Sequence, residues 1–210
     1  MRGMLSGVAA VALVLIAADG PAMACGTGKV VFEDSFDTFQ STWGKETEEL
    51  VLDTGRLLIK PKENFTFWAP NSAAVYDDVD LCATVTNVEV SNPGNSFVGL
   101  MFWYLDSKNF YTLEVDADGY ASIWRRQNGR WLSQVDWTKT DSLKAGIGET
   151  NELRVVTKGK VATYYLNGQE FSEAMGLPPD NGQQVGIIAS SPKDAVATYA
   201  FTDFTVTEAE

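Results

Sequence analysis

Glu114, Asp116 and Asp118 fall on alternate residues within Asn109–Arg126, NFYTLEVDADGYASIWRR. Alternate residues of a strand share a face, so this spacing can gather carboxyl groups. Two carboxyls about 5–5.5 Å apart, one acid and one nucleophile, can hydrolyse a glycosidic bond with retention. The same acids run into Asp118-Gly119, however, and Asp-Gly is turn chemistry. Four residues of strand span ~13 Å, so acids at the two ends meet only through long side chains. Asp118 is one methylene shorter than glutamate, and in a turn its carboxylate is expected to bond the local backbone.

Register decides what these acids face. A two-residue turn at Asp118-Gly119 would mix polar and apolar side chains on both faces. A three-residue loop, Ala117-Asp118-Gly119, with Gly119 left-handed in a bulge, separates them. Asp116 then pairs with Tyr120, Glu114 with Ser122, Thr112 with Trp124 and Phe110 with Arg126. Leu113, Val115, Ala121 and Ile123 form the opposite, core face. A one-residue slip would exchange the faces, so their segregation supports this register. The polar face surrounds an aromatic ring with hydrogen-bonding groups, which suits a sugar. Polar side chains take hydroxyls and the ring takes the C–H surface. Glu114, Trp124 and Arg126 are therefore the first candidate ligand contacts. The competing reading is an exposed Glu114–Arg126 pair worth under ~1 kcal/mol. Trp131 and Trp137 share a face of WLSQVDW by alternation, one strand from Trp124, and extend the candidate surface.

Other chemistry is limited. No histidine occurs in the chain, which removes the commonest general base and the commonest transition-metal ligand. Triads and zinc catalysis of the usual kinds are excluded with it. Asp34 and Asp37, with Asp77, Asp78 and Asp80, offer oxygens for a structural calcium ion, against a solvated acidic loop as the plainer reading. No other cofactor is implied. Asn64-Phe65-Thr66 matches a glycosylation acceptor, which matters only in a eukaryotic secretory pathway.

The segment preceding Cys25 has the form of a secretory signal: Arg2, an apolar run from Val8 to Ala17, then Ala22-Met23-Ala24. The run is shorter than the ~20 residues that span a bilayer. Residues 1–24 are accordingly a signal peptide and 25–210 one exported domain, periplasmic or extracellular. The signal holds one base and one acid, so removing it leaves the net charge at −12. Such a surface repels phosphate backbones and anionic lipid, which argues against nucleic acid as a partner. The two cysteines, Cys25 and Cys82, read as one disulfide in an oxidising compartment. Lipidation of Cys25 is the alternative, with Ala where a lipoprotein signal usually has Leu.

Helical periodicity is nearly absent beyond the signal. Short alternating runs punctuated by Gly, Asn, Asp and Pro predict an antiparallel sandwich. The expected strands include Leu50–Lys60, Ala73–Tyr76, Leu81–Val90, Phe97–Leu105, Phe110–Val115, Tyr120–Gln127 and Trp131–Trp137. Asn167-Gly168 and Asn128-Gly129 supply hairpin turns, and Asn92–Asn95 breaks the chain before Phe97. About a dozen strands require two packed sheets.

The segments FEDSFDTFQSTW, FVGLMFWYLDSKNFYTLEVDADGYASIWRRQNGRW, NELRVVTKGKVATYYLNGQEF and VGIIASSPKDAVATYAFTDFTVT resemble the concanavalin A-like lectin/glucanase superfamily. More narrowly they resemble bacterial 3-keto-disaccharide hydrolase, or family 16-like, domains. The resemblance implies an all-β jelly roll of two antiparallel sheets, with ligands on its concave face. Family 16 glucanases carry Glu-x-Asp-x-Glu or Glu-x-Asp-x-x-Glu; here the positions read Glu114, Asp116, then Asp118 or Gly119. The second glutamate is missing. A non-catalytic carbohydrate-binding domain is therefore the leading expectation. A glycoside or 3-keto-glycoside hydrolase and an envelope protein-interaction module are the alternatives.

Overall fold

The computed structural model describes residues 25–210, so the expected signal peptide lies outside the described residues. Those residues form fourteen strands, β1 to β14, and two short 3-10 turns. They make a jelly-roll sandwich of two antiparallel sheets. The eight-stranded sheet runs β12 (Gln169–Met175), β11 (Val161–Leu166), β10 (Thr150–Lys158), β5 (Val79–Glu89), β14 (Thr198–Glu208), β3 (Leu57–Ile59), β2 (Leu50–Leu52), with β1 (Val30–Asp34) also paired to β14. The six-stranded sheet runs β4 (Thr66–Pro70), β13 (Gln184–Ser190), β6 (Phe97–Asp106), β7 (Asn109–Val115), β8 (Tyr120–Gln127), β9 (Arg130–Lys139). The core lies between the sheets; Leu81, Val85, Leu100, Leu113, Ile123 and Phe204 are fully enclosed there. No helix among the described residues is long and apolar enough to cross a membrane.

Alternation locates most strands but not all. Leu50–Lys60 is two strands, because Thr54 and Gly55 both take positive φ and turn the chain back. Ala73–Tyr76 forms no strand; Tyr76 makes a single bridge to Gln183. Thr66–Pro70 is a strand that alternation misses. It is an edge strand paired only to β13, and its terminal proline therefore interrupts no ladder. Asn128-Gly129 and Asn167-Gly168 have positive φ at both positions, as a type I′ hairpin turn requires.

The β7–β8 hairpin has the register that face segregation predicts. Phe110 pairs with Arg126, Thr112 with Trp124, and Glu114 with Ser122. Gly119 is left-handed at φ 83° and its N–H donates to the Asp116 carbonyl. One detail is corrected. The side chain that ties the turn's backbone is that of Asp116, not Asp118: Asp116 Oδ1 accepts from the N–H of Asp118 (2.9 Å) and of Tyr120 (2.8 Å).

Cys25 and Cys82 form a disulfide with a Cα–Cα distance of 5.4 Å, joining the start of the described chain to the first half of β5. Four of the five acids considered for calcium have other partners for their side chains. Asp34 accepts from the N–H of Phe36 and from Trp43 Nε1, at 2.9 and 2.8 Å. Asp80 takes a two-pronged ion pair from Arg154. Asp78 accepts from the Gly159 N–H, and Asp37 from the Ser35 hydroxyl. Among the described residues, the three ligating atoms that come together at metal-site spacing belong to Cys25, Cys82 and Glu152. The disulfide uses both of those cysteines.

Candidate functional site

The face of the six-stranded sheet turned away from the core is lined by aromatic rings. Phe110, Met101 and Ile188 are buried on it, with Trp68, Phe97 and Tyr104 packed around them. Side chains from its two edges meet above the middle strands. Trp68 on β4 and Arg126 on β8 are four strand spacings apart, about 19 Å across a flat sheet. Yet the guanidinium lies 5.0 Å from the Trp68 ring centre. Trp137 on the other edge strand comes within 6.2 Å of Phe97 on β6. The sheet curls toward this face, which is a trough closed at one end.

The closed end is a plug. The Arg126 guanidinium also lies 5.3 Å from the Trp131 ring and 6.0 Å from that of Phe110. Phe110 meets Trp131 edge-on at 5.4 Å and Trp68 at 5.9 Å. Arg126 is thus held among aromatic faces, with its Nε–H buried and without a hydrogen-bond acceptor.

The open end is a cleft of about 360 Å³. Glu114 lies in its floor with 3% exposure, and Trp124, Trp131, Trp137 and Phe97 wall it. Each is held by its own element. Glu114 points outward because Leu113 and Val115 point to the core. Trp124 Nε1 donates to Ser122 Oγ at 3.1 Å, which fixes the indole against its own strand. On β9 strict alternation would put Val135 beside Trp131 and Trp137. Two register shifts against β8 prevent that. Val135 turns to pack against the core while both tryptophans stay in the cleft, each 38% exposed. The two shifts add to two residues, which restores the facing, so the tryptophan pair survives where the intervening pattern does not.

Glu114 is the chemically unusual group. The Thr112 hydroxyl donates to its Oε1 at 2.8 Å. Burial nonetheless raises its carboxyl from 4.5 to about 8, with only the Thr112 hydrogen bond opposing. At neutral pH it is mostly protonated and can donate a hydrogen bond as well as accept. Asp116 lines the same cleft. Its carboxyl is raised by burial, against the two turn N–H groups that favour its charge. Asp118 stands exposed at the hairpin tip, outside the lining.

Of the five ligand candidates, Glu114, Trp124, Trp131 and Trp137 come together in the cleft. Arg126 does not. It sits in the plug and borders a separate hollow beside Arg125 and Tyr111. The reason is spacing: Arg126 shares the face of Glu114 but lies at the other end of the hairpin, opposite Phe110. Sequence reasoning missed the polar rim. Gly94, Asn95 and Ser96, in the loop read only as a chain break, border the cleft, as do Thr66 and Ser190. Thr66, Asn95 and Ser190 also line an adjoining polar groove of about 540 Å³ that reaches Asn64. Thr66 belongs to the strand that alternation did not find.

No protein-family model matches the chain, and no curated protein matches it in sequence. Solved structures do match in fold. The carbohydrate binding module CBM66 from Bacillus subtilis superposes with a TM-score of 0.57 at 19% identity, over 71% of this chain and 86% of that one. The beta-glucanase of Bacillus licheniformis gives 0.59 at 8% identity, over 87% and 100%. The GH43 BlXynB protein of Bacillus licheniformis gives 0.64 at 14% identity, over 83% of this chain but 39% of its own. The likeness is one of fold over the matched parts, of the kind the sequence resemblance implied. None extends that likeness to the 3-keto-disaccharide hydrolases.

Proposed function

We propose that this protein is an exported carbohydrate-binding domain that holds a glycan in the open cleft of its six-stranded sheet without cleaving it. The carrying observation is that Trp124, Trp131 and Trp137 wall the cleft that has Glu114 in its floor. Indole faces take the C–H surface of a sugar ring, and Glu114 with the rim hydroxyls takes its oxygens. The volume lies in the range of small-ligand pockets, about 300–1,000 Å³. The adjoining polar groove gives further sugar units a path. A neighbour in fold is itself named a carbohydrate binding module. The disulfide suits an oxidising compartment. Calorimetric titration against a panel of neutral, acidic and amino-sugar oligosaccharides tests the reading. Binding that weakens about tenfold in Trp124→Ala and in Trp137→Ala is expected. A panel without any binder removes the reading.

One observation favours hydrolysis as a second reading. A carboxyl raised to about 8 in a cleft, beside a second carboxyl, is how a general acid is made. Against it, one oxygen of Asp116 is occupied by two backbone donors, and the second glutamate is absent. Glycoside turnover by the wild type that disappears in Glu114→Gln would establish this reading over simple binding.

A further inference from the structure

The cleft lining contains two carboxyl groups, Glu114 and Asp116, and no lysine or arginine. The cations nearby are committed elsewhere. Arg126 is held between Trp68 and Trp131 in the plug. Lys139 acts on Asp116, but its ammonium donates to the Asp118 carbonyl and lies 5.1 Å from the Tyr120 ring centre. Lys193 belongs to the adjoining polar groove, not the cleft. A uronate or sulfated sugar would therefore bring its charge against carboxyls with no cation to pair it, at a high desolvation cost. The walls point the other way, because indole faces attract cations. Among the described residues, burial and the Thr112 hydroxyl act on Glu114's protonation and no cation is paired with it, so a ligand could bring the counter-charge.

Building on the glycan-binding reading above, we propose that the cleft selects a sugar bearing a free ammonium group, a 2-amino-2-deoxyhexose unit that is not N-acylated. Its amine sits against Glu114 and its C–H face against Trp124. No bond of the sugar forms or breaks; the one bond that breaks is the Glu114 carboxyl O–H, whose proton passes to water or buffer. As the ammonium arrives, the Glu114 proton leaves to solvent and a carboxylate–ammonium pair remains. An N-acyl group removes the positive charge and an anionic sugar reverses it, so both lose this contact.

The test is calorimetry near pH 6 and about 0.15 M salt, where exposed charges are screened beyond roughly 8 Å. The probes are the trimers of glucosamine, N-acetylglucosamine and glucose (cellotriose). The glucosamine trimer is expected to bind about tenfold tighter than the acetylated one, since charge-assisted and cation–π contacts are lost on acylation. Titrations in buffers of different ionisation enthalpy are expected to show net proton release. An acidic protein attracts any polycation, so two variants separate site from surface. Glu114→Gln is expected to abolish both the preference and the proton release. Asp118→Asn, which removes an acid from the exposed hairpin tip outside the cleft lining, is expected to change neither. Equal affinity for the amino and acetylated trimers, or a preference that survives in Glu114→Gln, overturns the proposal. If cellotriose binds and the amine has no advantage, the glycan reading stands and only this inference falls. If no trimer binds, this inference falls, and the wider oligosaccharide panel decides the glycan reading.

Discussion

At the scale of single residues, Glu114 is where burial and chemistry conflict. Its carboxyl titrates near 4.5 when unfolded and about 8 when folded. Between those values the folded chain keeps a proton that the unfolded chain has lost, so stability must fall as pH rises. The slope from this group is about 1.4 kcal/mol per pH unit across that window, full stability being present below it. Urea unfolding at roughly pH 5 and pH 8 is expected to show the wild type losing more stability than Glu114→Gln, which carries no titrating proton. Equal losses would mean the carboxyl is more solvated than its 3% exposure implies. Arg126 makes the opposite case. Sequence spacing put it beside Glu114, but it is a packing residue among three rings. Arg126→Ala is expected to lower stability by about 1–2 kcal/mol in denaturant, through lost stacking. Arg126→Lys should recover only part of it, since ammonium lacks the flat guanidinium that stacks on indole.

At the scale of elements, the β7–β8 hairpin was legible because its faces are chemically distinct. A register that put Leu113 and Ile123 together also put Glu114 opposite Ser122, and the fold needs the same arrangement. β9 was legible only in outcome. Its two bulges leave no local sequence mark, and they become visible once Val135 must choose between the core and the tryptophans. β4 was not legible, since Thr66–Pro70 is short, aromatic in its middle and closed by proline. The turn that fixes the hairpin depends on Gly119, whose φ of 83° suits no Cβ. An added Cβ would also come within 3.3 Å of Ala145 Cβ. Gly119→Ala is expected to cost roughly 1–2 kcal/mol of unfolding free energy from backbone strain alone. A cost near zero in chemical denaturation would mean the tip relaxes to another turn, and the cleft ligand affinity would then shift with it.

At the scale of the whole molecule, the two-sheet architecture was legible from strand number and turn spacing. The floor of the cleft was half legible and its rim was not. Glu114 and the tryptophans announce themselves by type and alternation, whereas Ser96, Thr66 and Ser190 are ordinary polar residues that only the curl of the sheet brings together. The disulfide was legible from the cysteine count and the signal-like leader, and the fold shows what it joins. Cys82 sits in β5, the strand that pairs with both β10 and β14 at the centre of the larger sheet. Cys25 precedes β1, a short strand whose first residues are exposed. The bridge closes a loop of sequence separation 57. By chain entropy a loop of that length restricts the unfolded state by about 4 kcal/mol. The paired variant Cys25→Ser with Cys82→Ser is therefore expected to unfold at lower denaturant, with the dependence on denaturant rising because the unbridged chain exposes more surface. A loss below about 1 kcal/mol would mean that β1 holds to β14 through its ladder alone, and that the bridge is dispensable to the fold. The cleft lies on the other sheet, so the glycan affinity proposed for it should survive the double substitution under conditions where the variant remains folded.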